Sequence, residues 1–254
     1  MGGFKNIVLG DLGGKVGNIV GRNRKGKYFI YAIPEKVNIS NSPEAKISRA
    51  IMIPLAKFAS IVNSIPELKY FWVNYKLEAF DAFHKIEKVN YPLLIPERPT
   101  INNTIIPEIY NDNKIKESCV SPKGIKLKIF ISKNEEEQLE GAKELTGIGV
   151  ICYFNPNGGE LDYFHLIKIR TGPVEVKIDE QFEVDIAFNE EERSTYNSYL
   201  NSILYFTFVS KDSNGTPLRY CGNYRNEFRH EIRNEIRNEY TSERERFRVC
   251  DSQP

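Results

Sequence analysis

The spacing of apolar residues changes twice along the chain, and each change predicts a different kind of element. From Pro43 to about Val89 the period is helical. Ile47, Ala50, Ile51, Leu55 and Phe58 recur at steps of three and four, and Ser42 before Pro43 has the form of an N-cap followed by a first-turn proline. Pro54 is expected to kink this helix and Pro66 to start a second one. The second helix carries Tyr70, Phe71, Trp72, Tyr75, Phe80 and Phe83, rings whose expected role is packing against a sheet or a partner rather than holding a ligand. Residues 90–110, NYPLLIPERPTINNTIIPEIY, hold four prolines and few charges, which reads as an extended linker.

Beyond the linker the period falls to two. Runs rich in Ile, Val, Phe and Tyr occupy 125–132, 147–154, 162–169, 173–178, 182–188 and 203–210, with further short strands expected near 105 and 217. NPNGG at 155–159, TGP at 171–173 and DSNG at 212–215 supply turn chemistry between them. About seven strands in roughly a hundred residues is the signature of an immunoglobulin-like β-sandwich. The polar stretch at 190–202 is expected to be a short helical crossover between sheets.

The first residues form a region of their own. Eight of the 17 glycines precede residue 27, and Val16, Asn18 and Val20 alternate with Gly17, Ile19 and Gly21 before an Arg-Lys-Gly-Lys turn leads into KYFIYAIP. A β-hairpin is predicted. Its glycines, Gly13, Gly14, Gly17, Gly21 and Gly26, remove side chains so that another backbone can approach, and they are the candidate partner-binding residues. A phosphate loop is excluded: Gly10 and Gly14 lie one residue too close, and Val16 stands where the magnesium-binding hydroxyl belongs. The hairpin tip is basic, with Arg22, Arg24, Lys25 and Lys27 beside Tyr28, Phe29 and Tyr31. These four cations are the candidate contacts of an alternative, nucleic-acid-binding reading.

At the other end, residues 225–240 repeat as RNEF, RHEI, RNEI and RNEY. A period of four would stack like charges on a helix, so an extended or marginally helical appendage is expected; as a strand it would set Phe228, Ile232, Ile236 and Tyr240 on one face with Asn and His, and alternating Arg and Glu on the other.

Composition narrows the function classes. Lys and Arg (35) nearly cancel Asp and Glu (34), so any electrostatic role must be local. No stretch approaches a membrane span or a signal peptide, which predicts a protein that is cytoplasmic or incorporated into an assembly. Cys119, Cys152, Cys221 and Cys250 lack metal-site spacing and are expected to be four thiols. His84, His165 and His230 lie far apart in sequence, and no hydrolase or metalloprotease motif occurs. One dyad, Cys152 with His165 on neighbouring strands, is the remaining enzymatic candidate. Catalytic residues, metal ligands and cofactors are otherwise expected to be none.

Leu9-Gly10, Gly13, Gly14, Lys15 through Gly21, Lys25-Gly26, and Pro34 with Lys36 together resemble the N-terminal signature of domain-of-unknown-function family 6266, found largely in Bacteroidota. Asn41-Ser42-Pro43 and Arg49 look like that family's turn and helix arginine, and VICYFNPNGGELDYF and LYFTFVSKDSNG look like its C-terminal β-domain. Arg24 stands where the family has tryptophan and Tyr31 where it has arginine. The resemblance implies an architecture and no established activity. The expectation is therefore an α+β, mainly β protein: a glycine-rich hairpin and two helices (1–90), a proline-rich linker (91–110), an immunoglobulin-like sandwich (111–223) and a charged repeat tail (224–254). Its expected function is that of a non-enzymatic structural, assembly or protein-binding protein, a component of a phage-like or surface assembly being one form, with a protein partner or self-assembly.

Overall fold

The computed structural model describes residues 14–24, 26–34, 39–107, 114–132, 144–159, 161–212 and 214–230. The chain divides into two compact units, Met1–Lys46 and Ile47–Pro254. Strands outnumber helices, and the sheets are antiparallel.

The first unit contains β1 (Gly14–Val16), β2 (Ile19–Arg24) and β3 (Lys27–Ala32), paired in that order. Where the sequence suggested one extended segment through residue 21, a two-residue loop at Gly17-Asn18 reverses the chain. Gly17 has φ +61°, a conformation that only glycine adopts without cost. Val16 therefore pairs with Ile19 across the loop instead of continuing one strand through Asn18 and Val20. Gly26, at φ +76°, makes the second turn, its N–H donating to Asn23 Oδ1.

Helices α1 (Pro43–Asn63), α2 (Pro66–Asn74) and α3 (Ala82–Asn90) follow. Ser42 caps α1 by accepting from the Ala45 N–H, and the helix is continuous through a buried Pro54. The aromatic helix expected to run on from Pro66 is two helices. Asp81 accepts from the His84 N–H and begins α3, a cap that a reading of apolar spacing alone passes over.

The sheets of the second unit are built from β4 (Ile115–Ser121), β5 (Gly124–Phe130), β6 (Glu144–Pro156), β7 (Phe164–Glu175), β8 (Gln181–Ala187), β9 (Tyr199–Lys211), β10 (Pro217–Tyr220) and β11 (Tyr224–Arg229). One sheet runs β4-β5-β8. The other runs β7-β6-β9, and β10 and β11 follow one another along the outer edge of β9. Helix α4 (Glu190–Ser198), closed by a capping box between Asn189 and Glu192, carries the chain from β8 to β9.

The five-stranded sheet is the middle layer of three. On one face Ile148, Val150, Cys152, Phe154, Ile203, Tyr205 and Val209 meet Phe58, Val62, Leu68, Phe71, Trp72 and Ile86 of the helices. On the other, Leu145, Ile151, Tyr153, Leu204, Phe206 and Phe208 meet Ile125, Leu127 and Ile129 of the smaller sheet. Both faces being dry, GIGVICYF and ILYFTFV are near-continuous apolar runs, interrupted only by Thr207, rather than alternating ones. Gly149 belongs to this packing, since a Cβ there would collide with the Tyr205 carbonyl and the Phe206 ring.

Two turn signals read differently in place. TGP does not separate strands: Thr171 and Gly172 together oppose the single residue Gly147, a bulge that β7 absorbs without ending, and Thr171 Oγ1 accepts from the Gly147 N–H. Near residue 105 there is a buried turn rather than a strand.

The proline-rich stretch is described through residue 107, and Asn103, Thr104, Ile105 and Ile106 in it are fully buried. Its polar groups are matched one by one. Asn90 Nδ2 donates to the carbonyls of Ile86 and Thr104, while Asn90 Oδ1 accepts from Asn103 Nδ2 and the Thr104 N–H. Trp72 Nε1 donates to the Ile105 carbonyl and Tyr205 OH to that of Thr100, so helix and sheet both hold this segment. Replacing Asn90 with Ala removes a hydrogen-bond partner from four groups in a dry interior. The expected loss is about 2–4 kcal/mol of unfolding free energy, read as a lower urea midpoint at unchanged m-value.

Candidate functional site

The cysteine–histidine dyad does not form. Cys152 faces Leu166 across β6 and β7, and Tyr153 faces His165, so pleating sends the thiol to the helical side and the imidazole to the opposite face. Burial, moreover, pushes the Cys152 thiol far above its ordinary range, which disfavours the thiolate. Cys221 is likewise a buried thiol outside any disulfide, whereas Cys119 is disulfide-bonded, which departs from the expectation of four thiols.

A serine–histidine pair that sequence reasoning missed lies at the end of β11. Ser202 Oγ and His230 Nε2 are 2.8 Å apart, and His230 Nδ1 is 2.8 Å from the Tyr199 carbonyl. The carbonyl can only accept, so Nδ1 carries the proton and Nε2 accepts from the serine hydroxyl. This is the polarity of a nucleophile and its base, yet Ser202 is fully buried and His230 stacks on Tyr196 at 4.0 Å. A sealed pair of this kind pins β11 and α4 to β9. The first seven residues of the expected tail are thus part of the second unit, with Phe228 and His230 on the inner face; residues 231–254 lie outside the described residues.

Glu67, in the first turn of α2, is buried and joins two strands to the helices through Oε1, 2.6 Å from Arg170 and 2.7 Å from Lys211. Burial pushes its carboxyl up, but the Lys211 hydrogen bond and the charges of Arg170 and Lys211 outweigh that and hold it below its usual range. No cluster of three or more His, Cys, Asp and Glu able to hold a metal occurs among the described residues, and no helix among them is long and apolar enough to cross a membrane.

The first unit holds the residues singled out for binding. Gly17 and Gly26 are turn positions, where an added Cβ would meet open space, and Gly14 pairs with Gly21 across β1 and β2. Gly13 and Lys25 lie outside the described residues. The register separates two faces. Ile19, Gly21, Asn23, Ile30 and Ala32 occupy one, and none of these carries a charge, while Val20, Arg22, Lys27, Phe29 and Tyr31 share the other; in register Arg24 pairs with Lys27 and Lys15 with Val20. Ile19 is 48% exposed and Ile30 59%, and no described residue from 17 to 34 is buried.

Comparison of the chain with protein-family models, with curated proteins and with solved structures finds no match.

Desolvation dominates at His230 and lowers its pKa. The folded protein therefore binds fewer protons there than the unfolded chain, whose histidine titrates near pH ~6.5. This contribution to stability is fully present above that value and is lost as pH falls through and below it. Urea midpoints are expected to fall between pH ~7 and pH ~5, and His230→Gln to lower the midpoint at neutral pH while flattening the slope over this window. An unchanged slope in the variant would remove His230 as the cause.

Proposed function

We propose that this is a non-enzymatic assembly protein in which a helix-buttressed, immunoglobulin-like sandwich acts as carrier and the three-stranded N-terminal sheet docks onto a second copy of the chain through its apolar face. The observation that carries the reading is the exposure of Ile19 and Ile30 on a face without charge, in a sheet with no buried residue described from 17 to 34. Three short strands are stable only when an apolar face is covered. An uncharged face is complementary to itself, so a two-fold pairing buries it without stranding an ion.

The strand order supports the sandwich assignment. The first, second and fifth strands of the second unit form one sheet, and the third, fourth, sixth and the broken seventh form the other, as in immunoglobulin-like folds. The resemblance to family 6266, resting on the glycine string and the two β-segments, agrees with this architecture. A non-enzymatic role is favoured because the dyad candidates are on opposite faces or sealed from solvent. A carrier bearing a docking sheet suits a phage-like or surface assembly.

Light scattering over a concentration series tests the proposal. The full chain is expected to associate, and Ile30→Lys to weaken association by at least about tenfold, since burying one isoleucine contributes roughly 2 kcal/mol. A monomer at every concentration, or association indifferent to Ile30→Lys, would overturn it.

A further inference from the structure

The second face of the three-stranded sheet has a different chemistry. Register sets Arg22 beside Phe29 and Val20 beside Tyr31, with Arg24 and Lys27 paired at the tip and Lys15 across from Val20. Arg22, Lys27 and Tyr31 are exposed, and Phe29 is partly so. Residues 14–34 contain five Lys and Arg and no Asp or Glu, in a chain whose net charge is only +1, so the rest of the sequence is net acidic. The charge imbalance is local, and the alternation of strands β2 and β3 sets Arg22 and Lys27 on one side.

From this segregation we infer a binding site for single-stranded nucleic acid on the Arg22–Phe29–Tyr31–Lys27 face. The cations match a row of phosphates, because neutralising them releases counterions. The rings decide what else the ligand must offer. An acidic peptide or an anionic lipid surface would satisfy the charges and leave Phe29 and Tyr31 with nothing to stack on, whereas unpaired bases present a flat π-surface to each ring. A duplex hides those surfaces, so the strand must be single. The site is the reverse of the apolar docking face, and it stands or falls independently of that reading: Ile30→Lys would break docking without touching it.

Fluorescence anisotropy of the full-length protein with a labelled oligothymidylate tests the inference. With two phosphates contacted, by Arg22 and Lys27, affinity should fall roughly sevenfold as salt rises from about 50 to about 200 mM. The double change Arg22→Gln with Lys27→Gln should reduce both the affinity and this salt dependence, while Arg22→Lys with Lys27→Arg should retain the dependence. Tyr31→Ala should weaken binding about fivefold or more at constant salt, the loss of one stacked base. Circular dichroism of each variant verifies that the sheet persists. Absence of binding at the lower salt, tighter binding of the duplex than of the single strand, or equal binding of polyglutamate or anionic vesicles would each overturn the assignment. So would a Tyr31→Ala variant that folds and binds as the parent does.

Discussion

Everything in the second unit follows from the burial of β6 and β9 on both faces. Two adjacent thirteen-residue strands with dry sides cannot be completed by one partner layer. The helices and the smaller sheet are therefore not separate modules joined to a sandwich; each covers one side of the same pair. Each large apolar side chain fully buried this way contributes roughly 1.5–3 kcal/mol, and the β6–β9 pair supplies them to two cores at once. Phe58 against Tyr205, at 5.4 Å, and Phe71 against Tyr220, at 4.7 Å, show how directly the helices read the sheet.

A doubly covered sheet leaves little water for polar groups, and the pattern of buried ones reflects it. Asn90 satisfies the backbone of the segment that closes the helical layer, Glu67 gathers Arg170 from the middle of β7 and Lys211 from the end of β9, and His230 fastens the final strand. The serine–histidine pair likewise holds strands and helix together, with Ser202 of β9 fully buried against the residue that follows β11.

The first unit is built on the opposite principle. Its turns are set by glycines with positive φ, its strands are short, and its described side chains remain partly or fully exposed. Register there does one thing that packing does elsewhere: it sorts residues, giving an uncharged apolar face and a basic, aromatic one. This sorting is the basis of both functional proposals, and it follows from the register that the turn at Gly26 sets between β2 and β3.

Sequence alone determined a good deal. The helical spacing of Ile47 to Phe58, the Ser42 cap, the Pro66 start and the strands around 125, 150, 184 and 206 are local signals, legible because period and turn chemistry act over a few residues. What it left undecided involved partners distant in sequence. A near-continuous apolar run does not say what lies on its two sides, so the middle position of β6 and β9 appeared only in the fold. Asn103 and Thr104 look like linker until Asn90 is beside them, TGP looks like a turn until Gly147 is opposite, and RNEF looks like tail until β9 pairs with it. The same holds for Cys152 and His165, whose separation is a consequence of pleating across paired strands. Burial and pairing are properties of contacts between segments, and those contacts are what the tertiary structure decided.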